Sequence, residues 1–532
     1  SPPSNFPEFR LYAQRIRFVP AANEPADAES HYLPALRSHK MPHRQKLRTI
    51  GFIDFDRSAR ECTHVIVATV QELLDRMGGT ITLDATGFFK VTDPTRFYKE
   101  QTDILAINAS VGPTAEVRDA ARWMILAASH YLGSFPASIH ELYMARGRGE
   151  VSESFTVPAI NIRGMTYDTA RAAVRSVQKR DGGAFVFEIA RSEIGYTNQR
   201  PAEFASQVIA AAVREEFHGP IFIQGDHFQI NARKYAEDPD AEIQAVKDLI
   251  AEAITAGFYN LDIDASTVVD YAKPTLAEQQ SLNSRLTAEL TAYVRSLQPE
   301  GVTISVGGEI GEVGSQNSTV PELEAFMDAY NAHLVSLGSG LTGLSKISVQ
   351  SGTQHGGVVM PDGSLAEVQI DFETLASLSR VAREQYQLAG AVQHGASTLP
   401  DEAFDMFAKT GTAEIHLATS FQNLFFESLY LPDEIKEEMY SWLATHCASD
   451  RTADMTEEMF IYRTRKKAYG PFKEAIWGID WGTRKSLSED LEDRFDFFFE
   501  KLGIDGTQSV VQKRVPHVHI PSPMPEALRA AL

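Results

Sequence analysis

Between residues 156 and 420 the chain repeats one pattern eight times: a short apolar run, a polar or glycine-containing end, then a stretch with apolar residues at helical spacing. The runs are TVPAINIRG, GAFVFEIARS, PIFIQGDH, YNLDIDAS, VTISVGGEIG, KISVQSGT, LAGAVQHGAS and AEIHLATS. Amphipathic segments such as DAEIQAVKDLIAEAITAGF and TLAEQQSLNSRLTAELTAYVRSL lie between them. Nearly continuous apolar strands alternating with helices predict a parallel sheet covered on its outer side. Eight such units over about 265 residues have the size of an α/β (β/α)8 TIM barrel. A doubly wound open sheet is the competing arrangement, but no GxGxxG opens its first helix.

The flanks have other patterns. Residues 1–140 combine a proline-rich start with strand and helix pieces such as TITLDATGFF and DAARWMILAASHYLG, which predict an N-terminal α/β extension. The barrel is expected over residues 141–430. Residues 431–532 predict a C-terminal helical extension and tail, with PDEIKEEMYSWLATHC and EDLEDRFDFFFEKLG as helices and VPHVHIPSPMP as an extended end. Additions of this kind build subunit contacts, so a homo-oligomer is expected. The HxH pair His517 and His519 is read as part of the tail, without a functional role.

Composition narrows the partners. A formal charge of -21 repels nucleic acid and anionic membranes, so neither is an expected partner. No apolar stretch approaches the ~20 residues needed to cross a bilayer, and the first residues carry no uninterrupted apolar core of a secretory signal. Cys62 and Cys447 are far apart and in no metal-binding or disulfide pattern, which fits a reducing cytoplasm.

In such a barrel the chemistry gathers at the C-terminal strand ends. Asp226 and His227 end the third run, Asp262 and Asp264 the fourth, Glu309 the fifth, His355 the sixth and His394 the seventh, while His416 and Thr419 belong to the eighth. His227, His355 and His394 share one layer, and imidazoles with carboxylates form a ligand set for a divalent cation, zinc above magnesium. Asp264, just before Ala265 and Ser266, equally fits a helix cap. Neighbouring strand residues point to opposite faces, so Asp226 and His227 share a site only if the chain bends, which Gly225 eases. Glycine-containing loops at Gly356 and at Gly395, Ala396 and Ser397, with Thr419, offer backbone N–H groups for an anion.

These residues resemble the class II, metal-dependent ketose-bisphosphate aldolases from about Val157 to Gln422. VPAIN, GDH, LDIDAS, GGEIGEVG, GTQHGG, QHGAS and EIHLATSFQ resemble the family's motifs in order. The resemblance implies His227, His355 and His394 as ligands of a zinc or other divalent ion. It implies Asp264 and Glu309 as acidic positions that support it or hold a second cation, Asp226 as proton donor, and Asn161 and the glycine loops as substrate contacts. The implied reaction is aldol cleavage and condensation of a ketose or ketose phosphate through an enediolate.

Three departures stand out. The long mobile loop expected after the Glu309 segment is replaced by SQNSTVPELEAF, with Ser315, Gln316 and Asn317 at its start. The usual last-strand Asn corresponds to His416, and a usual His corresponds to Gln224. His416 is therefore a candidate acid–base group, with Glu312 and Glu322 as weaker ones. A metal-dependent epimerase or isomerase of a sugar or sugar acid is the alternative enzyme. The GDH and LDIDAS stretches also resemble accessory subunits of tagatose-bisphosphate aldolase, which leaves a non-catalytic partner as a third reading.

Overall fold

The eight apolar runs are eight parallel strands in the computed structural model, which describes residues 65–311, 316–352 and 370–532. Three short strands precede them: β1 (Ile81–Leu83) and β2 (Phe89–Val91) form an antiparallel hairpin, and β3 (Ser134–Ala137) follows. The barrel strands are β4 (Val157–Asn161), β5 (Val186–Ala190), β6 (Gly219–Gln229), β7 (Asn260–Asp264), β8 (Ser305–Glu309), β9 (Lys346–Val349), β10 (Ala391–Gln393) and β11 (Glu414–Leu417). They pair in the order β6-β5-β4-β11-β10-β9-β8-β7, and β6 pairs with β7 to close the ring. Closure excludes the open sheet. Each of β4, β5 and β7 to β11 is buried along its whole length, because helices cover the outside and side chains fill the inside.

On the edge away from β5, the long strand β6 serves two neighbours in turn. Its first residues pair with β3, from Ser134 opposite Gly219 to Ala137 opposite Phe222. Beyond them β7 takes over, from Asn260 opposite Gln224. Asn260 ties the junction: its amide donates to the Ala137 and Ile223 carbonyls and accepts from Ile139 N–H at 2.8 Å. The following helix, His140–Gly147, places the Tyr143 hydroxyl so that it donates to Glu414 in the barrel. β3 and this helix thus meet the N-terminal ends of barrel strands, while helices Thr102–Val111 and Ala115–Leu132 pack against the outer helix Pro201–Arg214.

Local sequence signals start the outer helices. Thr275 with Glu278, and Thr319 with Glu322, form capping boxes at Leu276–Leu297 and Val320–Leu337. Glu322, a candidate acid in the sequence reading, is engaged there, accepting from Thr319 N–H at 2.7 Å. Helix Trp481–Lys501 lies against helix Thr166–Lys179. The buried Arg484 guanidinium donates twice to Asp168, at 3.0 and 2.7 Å, and Arg175 pairs with Glu492 at 2.6 Å. Phe495, Phe498 and Phe499 from this helix share a hydrophobic core with barrel residues and with Leu105 and Met124 before the barrel. No described helix is long and apolar enough to cross a membrane.

Candidate active site

Strict alternation along β6 would separate Asp226 from His227. Instead the β6–β7 register shifts between Gly225 and Phe228, and His227 adopts a φ of 40°. That left-handed conformation is costly for a residue with a side chain and gathers at functional sites. Gly225 makes room for the bulge, since a Cβ there would stand 2.5 Å from Phe228 Cε1 and Cζ and 3.0 Å from Leu261 Cδ2. Both side chains consequently reach one cleft.

There His227 Nδ1 lies 3.1 Å from Asp264 Oδ2 and 3.3 Å from Glu309 Oε2. Asp226 Oδ1 sits among three imidazoles, 3.2 Å from His416 Nδ1, 3.8 Å from His227 Nε2 and 3.9 Å from His394 Nδ1. The ring centroids of His227 and His394 are 4.3 Å apart, and those of His394 and His416 are 4.0 Å apart. One donor atom each from His227, Glu309 and His394 falls within 4.8 Å of the others, and the same holds for Asp226, His394 and His416. Imidazole nitrogens with carboxylate oxygens are the donor chemistry of a zinc-type site. Glu188 Oε1, buried beside this group, has no hydrogen-bond partner among the described residues.

Asp264 makes two kinds of contact, one with each oxygen. Its Oδ1 accepts from Ser266 N–H at 3.0 Å and Oγ–H at 2.7 Å, shaping the turn after β7, while Oδ2 contacts His227 and accepts from Gln229. A carboxylate on an imidazole nitrogen orients the ring, and both Asp264 and Glu309 lie against His227 Nδ1. His355, Gly356, Glu312 and Ser315 lie outside the described residues.

Beneath the histidines is a buried polar layer that inspection of run ends overlooks. Lys346 Nζ lies 2.9 Å from Asp262 Oδ1, 2.7 Å from Gln224 Oε1 and beside Glu414. Gln224 donates to Glu188 and Glu414 at 2.9 Å each. His416 Nε2 is 2.8 Å from Glu414 Oε1, and its Nδ1 is 3.1 Å from Glu188 Oε2. Charged residues inside apolar runs, Glu188 in FVFEIA, Lys346 in KISV and Glu414 in AEIHL, were the available signal. In a barrel the inward positions of such runs need partners rather than solvent.

Burial and charge set the protonation. Burial disfavours the charged form of His227, yet Asp226, Glu309 and Asp264 outweigh it and hold the ring protonated well above its usual range. His416 is raised in the same way, by Glu188 and Asp226 against burial. Burial, followed by the charge of Asp264, pushes Glu309 up to about 8. Burial, followed by Asp226, pushes Glu188 up to about 7. Without a cation the group therefore holds protons that a bound ion would displace.

The histidines lie on the floor of a cleft of about 990 Å³. Of the residues offered as substrate contacts, Asn161, Gly395, Ser397 and Thr419 line it, and Ala396, offered for its backbone N–H, has its methyl in the hydrophobic core. Asn161 Nδ2 donates to Glu193 at 2.7 Å, and Ser397 Oγ accepts from Ala418 N–H at 2.7 Å. Part of the wall was not legible in the run ends: Tyr196 ends the short helix Arg191–Tyr196 after β5, and Met459, Tyr462 and Lys466 come from the C-terminal helices, whereas Arg163 stands at the end of the first run itself.

The description "Fructose-bisphosphate aldolase class-II" fits residues 151–466. Among solved structures, the chain is similar to a putative fructose-1,6-biphosphate aldolase from Coccidioides immitis, with 17% identity, 69% of this chain and 97% of that one covered, and a TM-score of 0.38. It is also similar to fructose-bisphosphate aldolase from Campylobacter jejuni (18%, 70% and 97%, 0.41) and to fructuronate-tagaturonate epimerase from Cohnella laeviribosi (12%, 72% and 86%, 0.49). The family match takes in all eight barrel strands and more than half of the sequence, and the chain belongs to the class II fructose-bisphosphate aldolase family.

Proposed function

We propose that this protein is a divalent-metal-dependent lyase that cleaves and forms a carbon–carbon bond of a ketose with an anionic end, a ketose phosphate first among them, through an enediolate. The observation that carries this reading is the convergence of His227, His394 and Glu309 donor atoms beside Asp226 on the cleft floor. A purely structural partner subunit has no need of that donor set.

His227, His394 and Glu309 would hold the cation, together with His355 on the sequence resemblance, while Asp264 fixes the His227 ring. When bound, the ion supplies Lewis acidity toward the ketone and neighbouring hydroxyl oxygens. Asp226 takes the hydroxyl proton in cleavage and returns it in synthesis. His416, 3.2 Å from Asp226 and backed by Glu188 and Glu414, exchanges the proton at the carbon where negative charge develops. The test is turnover of ketose phosphates by protein as isolated, stripped by a chelator, and reloaded with zinc, manganese or cobalt. Aldehyde release that disappears on stripping and returns on reloading is expected. Equal rates in stripped protein would refute the reading.

A second reading, epimerisation of a sugar or sugar acid, is favoured by the cleft's wall. Only residues 310–319 separate β8 from the next helix, and Met455, Met459 and Tyr462 from the C-terminal extension line the cleft. An aldehyde retained there recombines on its other face instead of leaving. Trapping free aldehyde during turnover separates the two: capture of stoichiometric aldehyde supports the lyase, and inverted stereochemistry with no captured aldehyde supports the epimerase.

A further inference from the structure

The cleft is lined by the acids Glu188, Glu193, Asp226 and Glu309 and by the cations Arg163, Arg191, Lys234, Arg463 and Lys466, in a chain whose overall charge is -21. Most of the molecule's field repels anions, so cations facing the reacting floor stand out.

The neighbours of Lys466 show how this segment ordinarily treats its charges. Arg465 pairs with Glu427 at 3.0 Å and also donates to Asn423. Lys467 pairs with Asp450. Lys466, between them, forms no ion pair with any carboxylate among the described residues, although it is half-buried. Its ammonium lies 5.8 Å from the centre of the Tyr196 ring, a cation–π contact that leaves its N–H donors open. Arg163 adds positive field and is held in place by two of its five N–H donors, one to Glu193 at 2.7 Å and one to Gln422 at 2.7 Å. Burial, followed by the charge of Arg163, pushes the Lys466 amine down to about 8, and a nearby anion would reverse that direction.

We infer that Lys466, presented by the C-terminal extension, anchors the anionic end of the substrate, a carboxylate or phosphate, at the cleft wall while the hydroxy-ketone end meets the histidine floor. This rests on the substrate reading above and adds to it the contact that selects an anionic substrate. The glycine rim is the competing anchor: Ser397 Oγ accepts the Ala418 N–H and keeps its own O–H to donate, so Ser397→Ala enters the test. Arg163 and Arg463 reinforce the potential at Lys466, and Tyr196 positions the amine. The extension therefore takes part in recognition as well as covering the cleft.

The test is calorimetric binding of two probes, inorganic phosphate and propionate, to the full-length protein at low ionic strength, both metal-replete and after chelation. The proteins compared are wild type, Lys466→Met, Lys466→Arg and Ser397→Ala, with unfolding midpoints recorded for each. The expected result is that one probe binds wild type, Lys466→Met weakens it at least tenfold, and Lys466→Arg and Ser397→Ala stay within threefold. Preference for phosphate identifies a phosphoester substrate, and preference for propionate a sugar acid. Unchanged binding by a folded Lys466→Met protein overturns the inference. So does failure of wild type to bind either probe, or a loss confined to Ser397→Ala. Because the chelated protein is measured too, loss of the metal-dependent reading would leave this result interpretable.

Discussion

Replacing Lys346 by Met removes the ammonium that Asp262 and Glu414 share inside the barrel, leaving only His416 beside them among the described cations, while keeping nearly the same side-chain length. Lys346 is 1% exposed, and its side-chain partners Asp262 and Glu414 are 7% and 0% exposed. Breaking a buried pair by removing one partner costs about 3–5 kcal/mol, because the remaining charge is left uncompensated. The loss has a defined pH dependence. Burial, only partly offset by Lys346, already raises Asp262 to about 6 in the intact protein, and removing the ammonium raises it further. A carboxyl whose pKa is higher folded than unfolded binds more protons in the native state, so its ionisation destabilises the fold as pH rises from the unfolded value. Glu414, held well below its usual range by Lys346 and His416 against burial, shifts upward in the variant too. Urea unfolding of wild type and Lys346→Met at pH 5.5 and pH 8, followed by circular dichroism, measures the effect. The variant is expected to lose about 3–5 kcal/mol at pH 8 and less at pH 5.5. A loss below about 1 kcal/mol at pH 8, the range of a surface pair, or a larger loss at pH 5.5, would refute the reasoning.

Other outcomes follow from the same structure. Gly225→Ala forces a Cβ to 2.5 Å from the Phe228 ring; a destabilisation of about 1–3 kcal/mol in thermal or urea unfolding is expected, with metal affinity falling as the bulge shifts. Arg484→Met strips the buried Asp168 of its partner and should lower stability by about 3–5 kcal/mol, read by the same unfolding experiment. His416→Asn should retain metal content yet lose exchange of the substrate's alpha proton into deuterated water, and full exchange would remove His416 from its acid–base role. Burial and Asp264 hold Glu309 up to about 8 in the cation-free state, above its unfolded value, so this carboxyl's contribution to stability falls as pH rises through that interval. Metal affinity should rise over the same interval, with proton release visible as a buffer-dependent enthalpy in calorimetry.

The barrel was legible because its signal is local and repeated. Each apolar run became one strand, and the polar run ends placed Asp226, His227, Glu309 and His394 around one cleft. The need for a bend at Gly225 followed from alternation alone, although its form, a register shift with His227 at positive φ, depends on how β7 and the Phe228 ring pack. Glu188, Lys346 and Glu414 escaped notice because attention to the strand ends hides the layer below, where inward charges neutralise one another across strands far apart in sequence. Lys466 and Tyr196 were illegible for a different reason. Nothing local in the turn after helix Glu457–Thr464 shows that it docks over the mouth of the barrel; that depends on core contacts such as Phe460 and Tyr469 with Phe425 and Phe426.

Anomalous X-ray diffraction from crystals grown with cobalt or manganese tests the proposed metal centre most directly. A strong peak within about 2.0–2.3 Å of donor atoms from His227 and His394, lost in His227→Ala crystals of the same form, is the expected result. An ion bound away from both imidazoles, or no ion in protein that turns over ketose substrates, would contradict it.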